Sequence, residues 1–258
     1  MKYKALFIIL ITFSTTVLLT LFLSNKAVKS STNNLSVLEA IYVPKSVEET
    51  YNEYKAIYTP FKKVHREKFI ARWAAIAYNE MLYARENGFY LYPSIKLAQG
   101  AIESNWGRSS LTTKYNNYFG IKLRKGHKGV TMNTYEYSKK LGYYNTKSKF
   151  THYKSAWECW RDHTVLLMSK KHYNKALSSK YDYKKQIKII SRKYATDKDY
   201  HKKVVHFINK YNLHLLDKMN PIEASHVISL IRISVGYSPV MYSYEKNRIV
   251  IIKNSDVK

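Results

Sequence analysis

From His65 to Asn87 apolar residues recur at helical spacing: Phe69, Ile70, Trp73, Ala74, Ile76, Ala77, Met81 and Leu82. That periodicity, closed by Gly88, predicts a helix with one face in a core. Tyr92-Pro93-Ser94 opens a second helix through about Asn105, with Pro93 suited to its first turn. A short helix is expected over Ser109 to Lys114. The pattern then changes. Ile121 to Phe150 carries Gly126, Gly129 and Gly142 between short β-prone runs, which predicts a hairpin-like excursion. Helices resume at Ser155, where Ser155-Ala156-Trp157-Glu158 has the form of a capping box. Another helix is expected from Asp182 to Lys193. A further one follows Thr196-Asp197-Lys198-Asp199, which reads as a second capping signature ahead of Val204, Val205, Phe207 and Ile208. Beyond Asn220 the runs Val227 to Val235 and Arg248 to Lys253 are β-prone and suggest an added hairpin. The expected fold class is mainly α with a small β-hairpin lobe: a helical domain over 55–217 and an extension of partly β character over 218–258.

The amino terminus has a different pattern. Met1-Lys2-Tyr3-Lys4 is followed by an uncharged run, Ala5 to Leu23. At about 1.5 Å rise per residue it is long enough to cross a hydrocarbon core of about 30 Å. Ser24-Asn25-Lys26-Ala27 is a poor cleavage site, so residues 1–28 are expected to be an uncleaved signal anchor rather than a cleaved signal peptide. Residues 29–54, rich in Ser, Thr and Asn at first, read as a tether. The expected location is the extracytoplasmic envelope, with the N-terminal helix in the membrane.

Composition narrows the chemistry. The single cysteine, Cys159, rules out an intramolecular disulfide framework and a cysteine-based zinc site, and is expected in the core beside Trp157 and Trp160. The nine histidines show no HExxH-type pairing, so no metal and no cofactor are expected. With 44 Lys+Arg against 18 Asp+Glu the net charge is +26. Such a charge suits nucleic acid, anionic lipid or an anionic wall polymer. The export-like start opposes nucleic acid as a specific partner.

The informative stretch is Leu97 to Gly107. It sets one carboxylate, Glu103, near the end of an apolar, small-residue helix, with Gln99 four positions earlier on the same face. Apolar neighbours, with Trp106 close by, would desolvate Glu103 and raise its pKa, as a general acid near neutral pH requires. The rival reading is a solvated glutamate at a helix end. Trp106, Tyr118 and Phe119 are sugar-stacking candidates, with core packing as the rival. Asn116 and Asn117 either hydrogen-bond substrate amides or satisfy a turn.

The segment Ala98-Gln99-Gly100-Ala101-Ile102-Glu103-Ser104-Asn105-Trp106-Gly107-Arg108-Ser109 resembles the signature of bacterial endo-β-N-acetylglucosaminidases of glycoside hydrolase family 73. The similarity continues in order through Asn116-Asn117-Tyr118-Phe119-Gly120-Ile121-Lys122 and Thr134-Tyr135-Glu136. It extends to Phe150-Thr151-His152-Tyr153 with Asp162-His163, and to Tyr194-Ala195-Thr196-Asp197 with Tyr200. The resemblance implies a lysozyme-like helical fold with the β lobe flanking a cleft. It implies hydrolysis of the β-1,4 bond after N-acetylglucosamine in peptidoglycan, the expected partner. It carries the catalytic acid to Glu103 and a second acidic residue to Glu136. If the substrate's acetamido group serves as nucleophile, Tyr194 would orient it. Gln99, Trp106, Asn116, Asn117, Tyr118 and Phe119 are the expected substrate-binding residues. Two departures stand out: Gly100, where the family often has Ala, and a short basic stretch over Arg124 to Val130 without the tryptophan many members carry.

Overall fold

A computed structural model describes residues 64–138 and 142–252. The expected anchor over 1–28 and tether over 29–54 lie outside them. Among the described residues no helix is long and apolar enough to cross a membrane.

The described residues begin with α1 (Val64–Glu86), α2 (Pro93–Glu103) and α3 (Ser110–Tyr115). A ribbon follows, β1 (Lys128–Ser138) and β2 (Gly142–His152), paired antiparallel from Lys128 with His152 to Ser138 with Gly142. Helices return as α4 (Ala156–Ser169), α5 (Lys171–Asn174), α6 (Tyr183–Tyr194) and α7 (Tyr200–Lys210). A 3-10 turn over Leu213–Lys218 leads to α8 (Pro221–Ser234) and a second small hairpin, β3 (Val240–Ser243) with β4 (Arg248–Ile251).

The apolar stripe read along α1 is the centre of the packing. Ile70, Ala74, Ala77 and Tyr78 are fully buried, and Trp73 stacks on Trp160 of α4 with ring centroids 5.3 Å apart. Cys159 is buried in the same layer, and its Sγ accepts the Tyr118 backbone N–H at 3.2 Å. Trp160 also explains the glycine at position 100. A Cβ there would lie 3.0 Å from the Trp160 ring, so helix α2 and the indole meet as closely as backbone permits.

Three local readings need correction. Val227–Val235, expected as a strand, is the second half of α8 with its C-cap at Val235. Asn220 accepts the N–H groups of Ile222 and Glu223 at 3.0 Å, and Glu223 reaches back to the Asn220 N–H, a complete capping box with Pro221 in the first turn. That start sets Ala224, Val227, Ile228 and Ile231 on one buried face, so helical periodicity outweighs β-branched composition. At α4 only half of the predicted box forms: Ser155 caps the Glu158 N–H, while Glu158 accepts from Lys154 instead of Ser155. At the second signature the Asp197 side chain takes the Asp199 N–H at 2.8 Å, a side-chain turn that delays the helix until Tyr200.

Residues 218–252 are not a layer apart. Val240 and Ile249 belong to the same buried cluster as α1. Asn79 of α1 donates to the Ile249 carbonyl (2.8 Å) and accepts its N–H (2.7 Å), extending the small hairpin's ladder onto the helix.

Candidate active site

Helix α2 carries the acid. Its Tyr92 N-cap makes no side-chain cap bond. Asp217 supplies the cap instead, accepting the Ser94 N–H at 3.0 Å and the Ser94 hydroxyl at 2.6 Å. Glu103 is the last residue of the helix, followed by a tight turn in which Asn105 and Trp106 have φ of 48° and 60°. Left-handed backbone at an aromatic residue is uncommon and is held here by its surroundings. The Trp106 N–H bonds the Ala101 carbonyl at 2.7 Å, and the buried Ser104 hydroxyl takes the Gly107 N–H at 2.7 Å.

Glu103 meets the start of α7. The Tyr200 hydroxyl donates to Glu103 Oε1 at 2.6 Å, and Gln99 Nε2 donates to the Tyr200 oxygen at 3.3 Å. Burial raises the Glu103 pKa above the ordinary carboxylate value, and the Tyr200 bond, which favours the charged form, partly opposes this. Burial and the neighbouring carboxylate push both the Tyr194 and the Tyr200 phenols well up, so both stay protonated donors. Gly120 faces the acid: at φ 62° a Cβ there would lie 3.9 Å from Glu103 Oε2.

The turn that brings Gly120 there is fixed from behind. Asn117 is 1% exposed, and its amide donates to the Ile121 and Thr151 carbonyls, both at 2.9 Å, while its oxygen takes the Ile121 N–H at 3.0 Å. Asn116 adopts a left-handed C-cap on α3 and donates to the Tyr153 carbonyl at 3.1 Å. Phe119 stacks flat on His163, with centroids 3.9 Å apart. Lys96, fully buried, donates to the Trp160 carbonyl and to His163 Nδ1, at 2.8 and 2.9 Å, and burial lowers its pKa to about 7. Tyr194 packs against this assembly: its hydroxyl donates to the Phe119 carbonyl at 3.2 Å and its ring stacks beside Tyr200 at 5.7 Å.

The fold therefore gathers Glu103, Tyr194 and the Phe119–Gly120 turn, and adds Tyr200, which the sequence shows only as part of a motif. Its signal was present: Tyr200 opens an amphipathic helix immediately after the Tyr194 segment. Several of the expected substrate contacts also hold the fold. Asn116 and Asn117 spend their amides on backbone carbonyls. Tyr118 and Phe119 are core residues, 8% and 3% exposed, Tyr118 packing on Trp73 at 4.7 Å. Gln99 is fully buried behind Tyr200 and positions it. Trp106 turns away from that turn into an aromatic cluster with Phe69, Phe207 and Tyr211, at 5.8, 4.8 and 5.3 Å. There it lines an open groove of about 490 Å³ beside Ile102 and α7. Glu136 lies near the far end of β1, in register with Tyr144. Among the described residues no group of three or more His, Cys, Asp or Glu is placed to hold a metal ion.

Comparisons agree with this architecture. The exo-glucosaminidase LytG of Bacillus subtilis (strain 168) is 37% identical over 150 residues, 55% of this chain and 51% of that protein. A probable N-acetylmuramidase of Lactococcus lactis subsp. cremoris is 34% identical over 151 residues, 55% of this chain and 34% of that one. The chain thus spans about half the length, or less, of these curated relatives. A crystal structure of an N-acetylmuramoyl-L-alanine amidase from Staphylococcus aureus superposes with a TM-score of 0.53 at 28% identity, over 60% of this chain and 44% of that chain. The glucosaminidase family model, described as mannosyl-glycoprotein endo-beta-N-acetylglucosaminidase, matches residues 79–213, just over half of the 258 residues. On that match, which takes in Glu103, the Asn117 turn, the ribbon and Tyr200, the chain belongs to the glucosaminidase family.

Proposed function

We propose that this chain hydrolyses peptidoglycan at the β-1,4 bond between N-acetylglucosamine and N-acetylmuramic acid, with Glu103 as general acid. The observation that carries the reading is the Glu103 carboxyl itself: partly buried, raised in pKa, and held by Tyr200 beside a turn without a Cβ at Gly120. A carboxyl that keeps its proton toward neutral pH can protonate the leaving glycosidic oxygen as the bond breaks. Positive charge then develops at the anomeric carbon.

Either a second carboxylate or the substrate's own acetamido group meets that charge. We assign Tyr194 to orienting the acetamido group, since its protonated hydroxyl sits on the same turn that faces Glu103. Glu136, carried on the ribbon, is assigned to positioning substrate or the attacking water. Anchoring by residues 1–28, with the domain outside the cytoplasm, rests on the sequence pattern at the amino terminus and fits a wall substrate. A silent glycan-binding scaffold and a phage-encoded wall lysin are the rival roles. The pairing of Glu103 with Tyr200 favours catalysis over the scaffold.

The relatives' names divide between glucosaminidase and muramidase, so the bond is the point to test. A chain starting near Lys29 would digest purified peptidoglycan, and the fragments would be reduced and weighed by mass spectrometry. Reduced N-acetylglucosamine ends are expected. Reduced N-acetylmuramic acid ends would reassign the bond, and binding without fragments would favour the scaffold.

A further inference from the structure

The groove beside Trp106 has no part in holding Glu103. Its floor is aromatic, Trp106 with Phe207, and its walls are basic: Arg66, Lys203, His206 and Lys210. The Arg66 guanidinium lies over the Trp106 ring at 5.0 Å, and its Nη1 donates to the Tyr211 hydroxyl at 2.6 Å. Arg66 Nε is buried with no hydrogen-bond partner among the described residues. Lys203 is paired with Asp197 at 2.6 Å at the end of the groove nearest Tyr200, while His206 and Lys210 are exposed further along α7. The groove thus presents the cations Arg66, Lys203 and Lys210, with His206 as a further hydrogen-bonding group, over an apolar floor.

Its position relative to Glu103 follows from α7. Tyr200, the residue bonded to Glu103, opens that helix. At about 1.5 Å per residue, Lys203, His206 and Lys210 lie roughly 4.5, 9 and 15 Å along the axis from it. An extended peptide advances about 3.4 Å per residue, so a substituent of three to five residues attached near the cleaved bond reaches roughly 10–17 Å. Peptidoglycan carries such a substituent: a short peptide stem linked to muramic acid, with alanine methyls, a diamino acid and free carboxylates.

We propose that the groove between Trp106 and α7 binds the carboxylate-bearing peptide stem of the glycan strand, making stem-substituted strands the preferred substrate. The inference rests on the glycan-hydrolase reading. Trp106 and Phe207 contact the aliphatic part of the stem, and Arg66, His206 and Lys210 receive its carboxylates. The left-handed turn at Trp106, held by its surroundings, sets the indole in the groove floor.

The test compares soluble glycan strands that keep their stems with strands stripped of them by an amidase. The variant is the double substitution His206→Gln and Lys210→Gln, both at exposed positions where the fold is not at risk. An exposed rim charge such as Lys210 acts mainly on encounter and its salt dependence, so its loss is read in KM before kcat. The expected result is a rise in KM of about three- to tenfold on stem-bearing strands, with kcat unchanged, and no change on stripped strands. An equal rise on both substrates, or none on either, overturns the proposal.

Binding of the same strands to a Glu103→Gln chain, with and without the double substitution, reads the preference without turnover. Should the parent cleave neither substrate, the hydrolase reading fails, and the binding comparison still decides whether the groove prefers stems. Polyglycerol phosphate is the control anion. If only its binding weakens in the variant, the groove serves a phosphate polymer and the stem proposal is wrong.

Discussion

At the residue scale the proposed chemistry turns on one carboxyl and one phenol. Tyr200 donates to Glu103 and so favours the ionised acid, against burial, which favours the protonated one. Replacing Tyr200 by Phe removes the opposing influence, and the Glu103 pKa rises further. A general acid works while protonated, so activity is present below that pKa and falls as pH rises through it. The alkaline limb of kcat/KM against pH is therefore expected to move to higher pH in Tyr200→Phe, even where the maximum rate drops. A limb that stays in place, or moves down, would remove Tyr200 from this role. The same carboxyl sets a stability signature. A carboxyl whose folded pKa is raised contributes most below its unfolded value, and its contribution is lost as pH rises toward the folded value. Glu103→Gln is thus expected to melt higher than the parent at neutral pH, with the difference shrinking toward the unfolded carboxyl range near 4.5. Equal melting temperatures across that window would mean that Glu103 is solvated.

At the scale of elements, the two asparagines show what a sequence can and cannot tell. Asn116-Asn117 beside an aromatic pair was legible as a turn, and equally as a set of substrate ligands. The residues alone could not decide, because one partner of Asn117 is the Thr151 carbonyl, 34 positions away on the ribbon. Asn117→Ala would leave buried backbone groups without partners, at a cost of about 2–4 kcal/mol. The expected result is a lower melting temperature with KM little changed in the folded fraction; a raised KM at unchanged stability would return Asn117 to the substrate. Helix α2 teaches the same lesson. Its Pro93 start and its glutamate were readable locally, but its cap is Asp217, 123 residues on. The helices with local punctuation, α1 closed by Gly88 and α6 capped by Asp182, were legible because their signals lie within one turn of their ends. Val227–Val235 resembles a strand locally because β-branched residues crowd it, while the Asn220–Glu223 box that starts the helix lies several residues upstream.

For the whole molecule, the helical domain and its small lobe followed from periodicity and glycine placement, and the position of Glu103 from its motif. The role of the last described segment did not. Nothing local says that α8 and the β3–β4 hairpin cover α1, yet the Tyr78 hydroxyl donates to the Met219 carbonyl at 2.6 Å and Arg232 to the Ala71 carbonyl at 3.0 Å. Val227, Ile228, Ile231, Val240 and Ile249 are all buried there. Such side chains contribute roughly 1.5–3 kcal/mol each when buried, against about 5–15 kcal/mol for a whole domain. A chain ending after Lys218 is expected to lose its cooperative melting transition and aggregate, although it contains all of residues 79–213. A truncated chain that melts cooperatively within a few degrees of the parent would make 219–252 a dispensable appendage.

The central claim is that Glu103 delivers the proton that breaks the glycan bond. Its most direct measurement is kcat/KM on purified peptidoglycan for the parent and for Glu103→Gln, with binding to the same material measured in parallel. The account predicts a loss of about 10²–10⁴-fold in the variant with binding retained. A variant that keeps its rate to within about threefold would contradict it.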